Sequence, residues 1–370
     1  MINCASSRKP TVLFRADGSD HMGFGHLVRC STLARQLHDD GARVLLATRS
    51  SDPCPRWVSD LFPGEIHELK NRGTSIPDED DPVSHAAWLT TTQHEDAEQL
   101  IELLARLQLK EIDCLVVDHY GIDARWHRQM RPVCRKLLAI DELADRNLDV
   151  DILLDQNRSP HQARVDYEEY LSGEAVLLAG PHWSLIRPEF RDNREEARSL
   201  NEKSPRVLVI MGGSDPDELT SDVLESLIGL ETRLDIIAVI GKPDQFERLE
   251  LLTKTMGHSL EIRIGETKMA ALMAEVDFAI SAAGSTVWEL CCMGVPMMLL
   301  AEEINQQAVV QQAEAAGAAV RLPSVELDCV KAVLSTMLNG RGRLEVMSRA
   351  GQDLVDGQGA LRIAQLLLKG

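Results

Sequence analysis

His26 follows Gly25 in "DHMGFGHLVRC" (residues 20–30), a glycine turn directly after the apolar run "TVLFRAD" (11–17). An imidazole at the mouth of a strand-to-helix turn can take up a proton near neutral pH. The amides and dipole of the helix start there favour an anion. Two common uses of such a turn fail on residue type. The dinucleotide fingerprint needs a third glycine where Val28 stands and a carboxylate ending the second strand, but "LLATRS" supplies none. Gly18 and Gly23 have the spacing of a Walker loop, but Phe24 stands in the place of its lysine. What remains is a turn shaped by Gly23 and Gly25, with His26 either a proton acceptor or an ordinary hydrogen-bonded histidine at a helix start.

Three further turns carry polar groups. In "AAGSTVWELCCMGVP" (282–296), Gly284 ends a strand, Ser285 and Thr286 open a helix, and Gly294 closes it. Exposed amides at 284–286 suit a diphosphate. Glu289, one turn in, reads equally as the partner of Thr286 in a capping box or as an acceptor for two ribose hydroxyls. In "MGGSDPDELT" (211–220), Gly213 and Ser214 form another glycine turn, with Ser214 or Asp215 as the cap of the next helix and Pro216 at its first position. In "EEINQQAVV" (302–310), Asn305 and Gln306 precede a helix that Asn305 would cap.

The elements that must hold these turns form two similar series. The first is "TVLFRAD", a helix with Leu27, Cys30, Ala34 and Leu37 on one face, then "RVLLAT" (43–48), "DCLVVDHY" (113–120), "KLLAIDE" (136–142) and "DILLDQN" (151–157). The second is "RVLVIMGGSD" (206–215), "LDIIAVIG" (234–241), "SLEIRIG" (259–265), "DFAISAAG" (277–284) and "VPMMLL" (295–300). Continuous rather than alternating apolar runs imply parallel strands covered on both faces. The expected fold class is α/β: two Rossmann-like domains facing across a cleft, with ligands beyond the carboxyl ends of the strands. Residues 9–186 make the N-terminal domain, the charged stretch 187–205 a linker, and 206–370 the C-terminal domain, its last helix packing back on the first. The acidic stretch "NRGTSIPDEDDP" (71–82) reads as a solvated turn.

With 370 residues the chain is long enough for two cores. A net charge of −19 argues against a nucleic-acid partner or an anionic membrane face. No apolar run reaches membrane-spanning length, and "MINCASSRKPTVLFR" lacks the apolar core of a signal peptide. The eight cysteines are scattered, with no C-x-x-C pair, so structural zinc is not expected and a reducing cytoplasm is.

Taken in order, "FRADGSDHMGFGHLVRCSTLA", "VVDHYGID", "AIDELADR", "LLDQN", "LIRPEF", "MGGSDPDELT" and "AAGSTVWELCCMGVPMMLL…NQ" resemble the UDP-2,4-diacetamido-2,4,6-trideoxy-β-L-altropyranose hydrolases of pseudaminic acid biosynthesis, from about residue 11 to residue 320. The resemblance implies a GT-B fold and a UDP-sugar substrate. It implies hydrolysis by inverting attack of water at the anomeric carbon, with no metal and no cofactor. It makes His26 the catalytic base, Glu289 the ribose acceptor, and Gly284, Ser285 and Thr286 the diphosphate turn, faced by Gly213 and Ser214. Arg15, Asp17, Asp118, His119 and Tyr120 fall on the sugar side. Met211 replaces a frequent phenylalanine, and Gly18 replaces a frequent serine, implying a looser turn. A glycosyltransferase sharing the UDP site, a non-catalytic nucleotide-sugar binder and an epimerase are the rival readings. The sequence leaves the oligomeric state open.

Overall fold

The computed structural model describes residues 8–19, 22–49, 56–70, 81–195, 204–212, 215, 218–301, 304–338 and 342–369. Gly213, Ser214, Pro216 and the acidic stretch up to residue 80 lie outside the described residues. The chain divides into two units, Met1–Leu185 with Gln358–Gly370, and Ile186–Gly357.

The first unit is built on a seven-stranded sheet: β1 (Thr11–Ala16), β2 (Arg43–Thr48), β3 (Glu65–Glu68), β4 (Ile112–Asp118), β5 (Cys134–Ile140), β6 (Ile152–Asp155) and β7 (Val176–Ala179), in the order β3-β2-β1-β4-β5-β6-β7. Every pairing is parallel. Because neither face meets water, alternate residues of one strand enter different cores. Phe14 packs with Leu27, Leu33, Ile363 and Leu367 on one side, and Leu13 with Leu45, Leu100 and Trp126 on the other. The closing helix Gly359–Leu368 thus belongs to this unit's core. Gly359 allows it in: a Cβ there would lie 2.3 Å from the Ser184 carbonyl oxygen.

The second unit carries β8 (Arg206–Ile210), β9 (Asp235–Ile240), β10 (Ser259–Ile264), β11 (Phe278–Ala282), β12 (Met297–Leu300) and β13 (Ala319–Arg321), ordered β10-β9-β8-β11-β12-β13 and again all parallel. Two doubly wound parallel sheets make the fold α/β, of the GT-B type. Part of the stretch expected as linker is structured: Pro188–Asp192 is a helix, and Phe190 is fully buried in the second unit's core.

Strand order reverses between β1 and β4 in the first sheet and between β8 and β11 in the second. At such a switch point two neighbouring connections leave in opposite directions and open a crevice beyond the strand ends. The glycine turn bearing His26 follows β1. Met211 and Gly212 follow β8, and the turn at 283–285 follows β11.

Candidate active site

At the first switch point, β1 and β4 are in register, with Ala16 opposite Asp118. Helix Gly25–Asp39 starts beside them, anchored by buried Leu27, Cys30, Leu33, Ala34 and Leu37. His26 and Arg29 are three residues apart and share one helix face. Both reach Asp118, at 2.7 Å from His26 Nδ1 to Oδ1 and 2.5 Å from Arg29 Nε to Oδ2. Arg29 also donates to Glu142 Oε1 at 2.5 Å, and the Tyr120 hydroxyl donates to Glu142 Oε2 at 2.8 Å. Burial would push the Asp118 carboxyl up, but Arg29 and then His26 outweigh it and hold it well below the usual carboxylate range. An ionised Asp118 accepts from Nδ1–H of His26, which leaves the lone pair on Nε2. Nε2 makes no hydrogen bond among the described residues, and the side chain keeps 7% of its surface. The result is an oriented imidazole with an open Nε2, paired with a carboxylate as imidazoles are in Ser-His-Asp triads.

Next to it lies a second charged cluster. Arg15 donates to both Asp17 and Asp96, with Nη2 to Asp96 Oδ2 at 2.7 Å. Arg49 and the Trp126 indole N–H also donate to Asp96. All three Arg15 nitrogens are engaged and none of its surface is exposed. Arg15 thereby ties Asp17 to Asp96 at the strand ends. His119 is equally buried. Its Nδ1 accepts from the Gly121 N–H, and its Nε2 lies 3.3 Å from Asp17 outside hydrogen-bond geometry. Burial pushes its pKa down against the pull of Asp17. Asp118 and Tyr120 are also buried.

Gly18 does not loosen its turn. A Cβ there would fall 2.7 Å from Leu27 Cδ1 and 2.8 Å from Phe24 Cδ1, so its lack of a side chain admits both. Gly23, at φ +76°, takes the left-handed conformation the turn requires.

Several residues the sequence reading missed complete the first site. Arg29 and Glu142 hold the dyad. His85 and Trp88 flank Tyr120, at ring-centroid distances of 5.8 and 5.9 Å, while Tyr120 meets His26 edge-on at 4.7 Å. The His-x-x-Trp spacing is a usable signal, since positions i and i+3 eclipse in the 3₁₀ turn Ala86–Leu89 that follows His85.

At the second switch point, β11 runs through Gly284 and Ser285 into helix Thr286–Met293, which Gly294 closes at φ +66°. Gly284 and Ser285 are exposed, and the amides of Ser285 and Thr286 donate to nothing among the described residues. The capping box is absent, because no side chain caps this helix and Glu289 instead accepts from Arg187 Nη2 at 3.2 Å. Burial pushes the Glu289 carboxyl up to about 7, against Arg187 and with Glu189 adding to the rise. Asp215 caps helix Leu219–Ser226, accepting from the N–H groups of Leu219 and Thr220 at 2.9 and 3.1 Å. Asn305 and Gln306 lie inside helix Ile304–Ala316 rather than before it, which corrects the capping role expected for Asn305. Among the described residues no helix is long and apolar enough to cross a membrane.

Comparison with known proteins fits this architecture. The glycosyltransferase family 28 C-terminal domain matches residues 207–363. An uncharacterised protein of Methanocaldococcus jannaschii is 26% identical over 291 residues, which are 77% of this chain and 54% of that protein; the chain spans about half of that relative. The UDP-2,4-diacetamido-2,4,6-trideoxy-beta-L-altropyranose hydrolase of Campylobacter jejuni is 25% identical over 298 residues, 80% of this chain and 93% of that one. The crystal structure of Acinetobacter baumannii MurG superimposes with a TM-score of 0.69 at 16% identity, covering 98% of this chain and 100% of that chain. The chain therefore resembles the hydrolases its motifs pointed to and shares its fold with glycosyltransferases.

Proposed function

We propose that this chain is a UDP-sugar hydrolase that releases UDP from a UDP-linked 2,4-diacetamido-2,4,6-trideoxyhexose of the altropyranose type, in pseudaminic acid-type biosynthesis. The observation that carries the reading is the His26–Asp118 dyad with its unpaired Nε2. Nε2 takes a proton from water as the water oxygen bonds to the anomeric carbon. The carbon–oxygen bond to UDP breaks on the opposite face, and UDP leaves with the electron pair, so configuration inverts. Asp118 stabilises the imidazolium that forms. A diphosphate leaves readily, so the strong acid that ordinary glycosides require is unnecessary. The second unit supplies the nucleotide site: the Ser285 and Thr286 amides hold the diphosphate and Glu289 accepts from the ribose. The relative from Campylobacter jejuni bears this activity in its name and supports the choice of substrate.

In ¹⁸O-enriched water the label should enter the free sugar and not UDP; label in UDP would mean attack at phosphorus and overturn the mechanism. A glycosyltransferase is the second reading, favoured by the family 28 match. UDP release without any acceptor decides for hydrolysis, and release only when an acceptor is added decides for transfer.

A further inference from the structure

Glu289 is four-fifths buried beside a cation that the proposed nucleotide site does not yet use. Arg187, just before helix Pro188–Asp192, donates through Nη2 to Glu289 Oε1 at 3.2 Å. Its Nη1 lies 3.0 Å from Glu189, and its guanidinium stacks 4.8 Å above the ring of the fully buried Phe190. The stack fixes the plane of the guanidinium and the two carboxylates fix its rotation. Its Nε is buried without a partner, a cost that a brace serving only the fold has no reason to keep. Glu289 Oε2 makes no hydrogen bond among the described residues. One oxygen is held and the other is open.

We propose that Arg187 is a positioning residue of the nucleotide site, holding the Glu289 carboxylate ionised and oriented so that it accepts ribose hydroxyls. The proposal rests on the nucleotide reading above. A neutral carboxyl is a poorer acceptor and offers a donor instead. Burial works toward that neutral form, and Arg187 works against it. The charges acting on Glu289 are Arg187 and Glu189, both from residues 187–189. Arg191, Arg194 and Asp356 act on Cys292 of the same helix but are not among the charges acting on Glu289. Helix Met269–Ala274 and strand β11 contain no charged residue, and helix Arg343–Leu354 meets it through Gly351, which abuts the Cys291 backbone. Arg187 is therefore the one cation, among the described residues, that offsets the burial of this carboxyl.

The test is calorimetric titration of UDP into the full chain from pH 6 to 9, for wild type, Arg187→Met, Arg187→Lys, Glu289→Gln and the Arg187→Met/Glu289→Gln pair. Ratios to wild type cancel the titration of UDP's own phosphate, whose second pKa is about 6. Arg187→Met should weaken UDP binding at pH 7 by about fivefold for the first unit that the Glu289 pKa rises and about tenfold for each further unit, and the deficit should close toward pH 9. Arg187→Lys should recover most of the affinity. It also keeps the proposal testable should thermal melts find the methionine variant unfolded. In the Glu289→Gln background, removing Arg187 should cost no further affinity. A deficit equal at every pH, no deficit, or an additive loss in the double variant would each overturn the brace. If wild type does not bind UDP, or Glu289→Gln binds as tightly as wild type, the nucleotide reading fails first and takes the brace with it.

Discussion

The two switch points share a backbone plan and differ in what crowds their strand ends. Beyond β1, β4 and β5 stand Asp17, Asp118 and Glu142, each paired with a buried arginine. Beyond β11 stand an exposed glycine, an exposed serine and free amides, with one carboxylate a helical turn away. A proton acceptor has to be held in one orientation and one tautomer, and that takes ionised partners around it. A diphosphate brings its own charge and is met by amides already aligned by the helix. On the proposed reading, catalysis would draw on many side chains and nucleotide binding mostly on main chain.

The contrast can be broken most sharply at His26. His26→Asn keeps a polar side chain but no useful proton acceptor. Turnover should fall about 10²- to 10⁴-fold, with UDP affinity measured by calorimetry unchanged. A near-normal kcat would leave the first switch point with no chemistry of its own. The next largest effect is on stability. Asp96→Ala strips Arg15, Arg49 and Trp126 of a shared buried partner. Breaking such a pair costs about 3–5 kcal/mol, measured by urea unfolding. Glu289→Gln, the matching change in the second unit, should not lower stability at pH 8, because burial already disfavours that charge.

Gly359→Ala tests whether the closing helix is part of the first unit's core. Its new Cβ meets the backbone of Trp183 and Ser184, at 2.3 Å for the Ser184 oxygen, where no flexible side chain can yield. A loss of about 1–3 kcal/mol is expected, with hydrogen exchange accelerated in Met1–Leu185 and not in Ile186–Gly357.

The smallest predicted effect is one of sign. Asp17 is desolvated, but Arg15 and His119 outweigh that and hold it low, as Arg29 and His26 do for Asp118. These carboxylates stabilise the fold above their ordinary range of about 3.9, and the contribution is lost as pH falls. His127, pushed down to about 3 by burial and then by Arg146, loses its contribution as pH drops below about 6.5. Glu289 runs the other way. Held at about 7, it favours the fold below its ordinary range of about 4.3 and loses that contribution as pH rises through 7. Exchange protection read unit by unit from pH 4 to 8 should rise with pH in the first unit and gain less, or fall, around Thr286–Met293.

Ten of the thirteen strands among the described residues overlap apolar runs evident in the sequence, because a strand buried on both faces needs an unbroken run. The three that escaped lie at sheet edges: β3 is "EIHE", β7 is "VLLA" and β13 is only "AVR". An edge strand has one neighbour, so short or polar residues suffice. His26 and Glu289 were visible because their spacing from glycines and helix starts is local. Arg29 and Glu142 were not visible as a pair, being 113 residues apart and meaningful only through each other. The pairing of Arg15 with Asp96, 81 residues on, was hidden in the same way.

The return of the last helix to the first sheet sets an order of events during synthesis. Residues leave the ribosome from the N-terminus, and units generally fold as they emerge. Here the unit that emerges first waits longest. Its core lacks Ala360, Ile363, Ala364 and Leu367 until residues 358–370 are made, when all of Ile186–Gly357 is already translated. A nascent chain paused before residue 358 has a second unit free to complete its sheet and a first unit with the apolar side of helix Gly25–Asp39 uncovered. Such an intermediate offers chaperones and proteases an apolar surface that the finished unit buries.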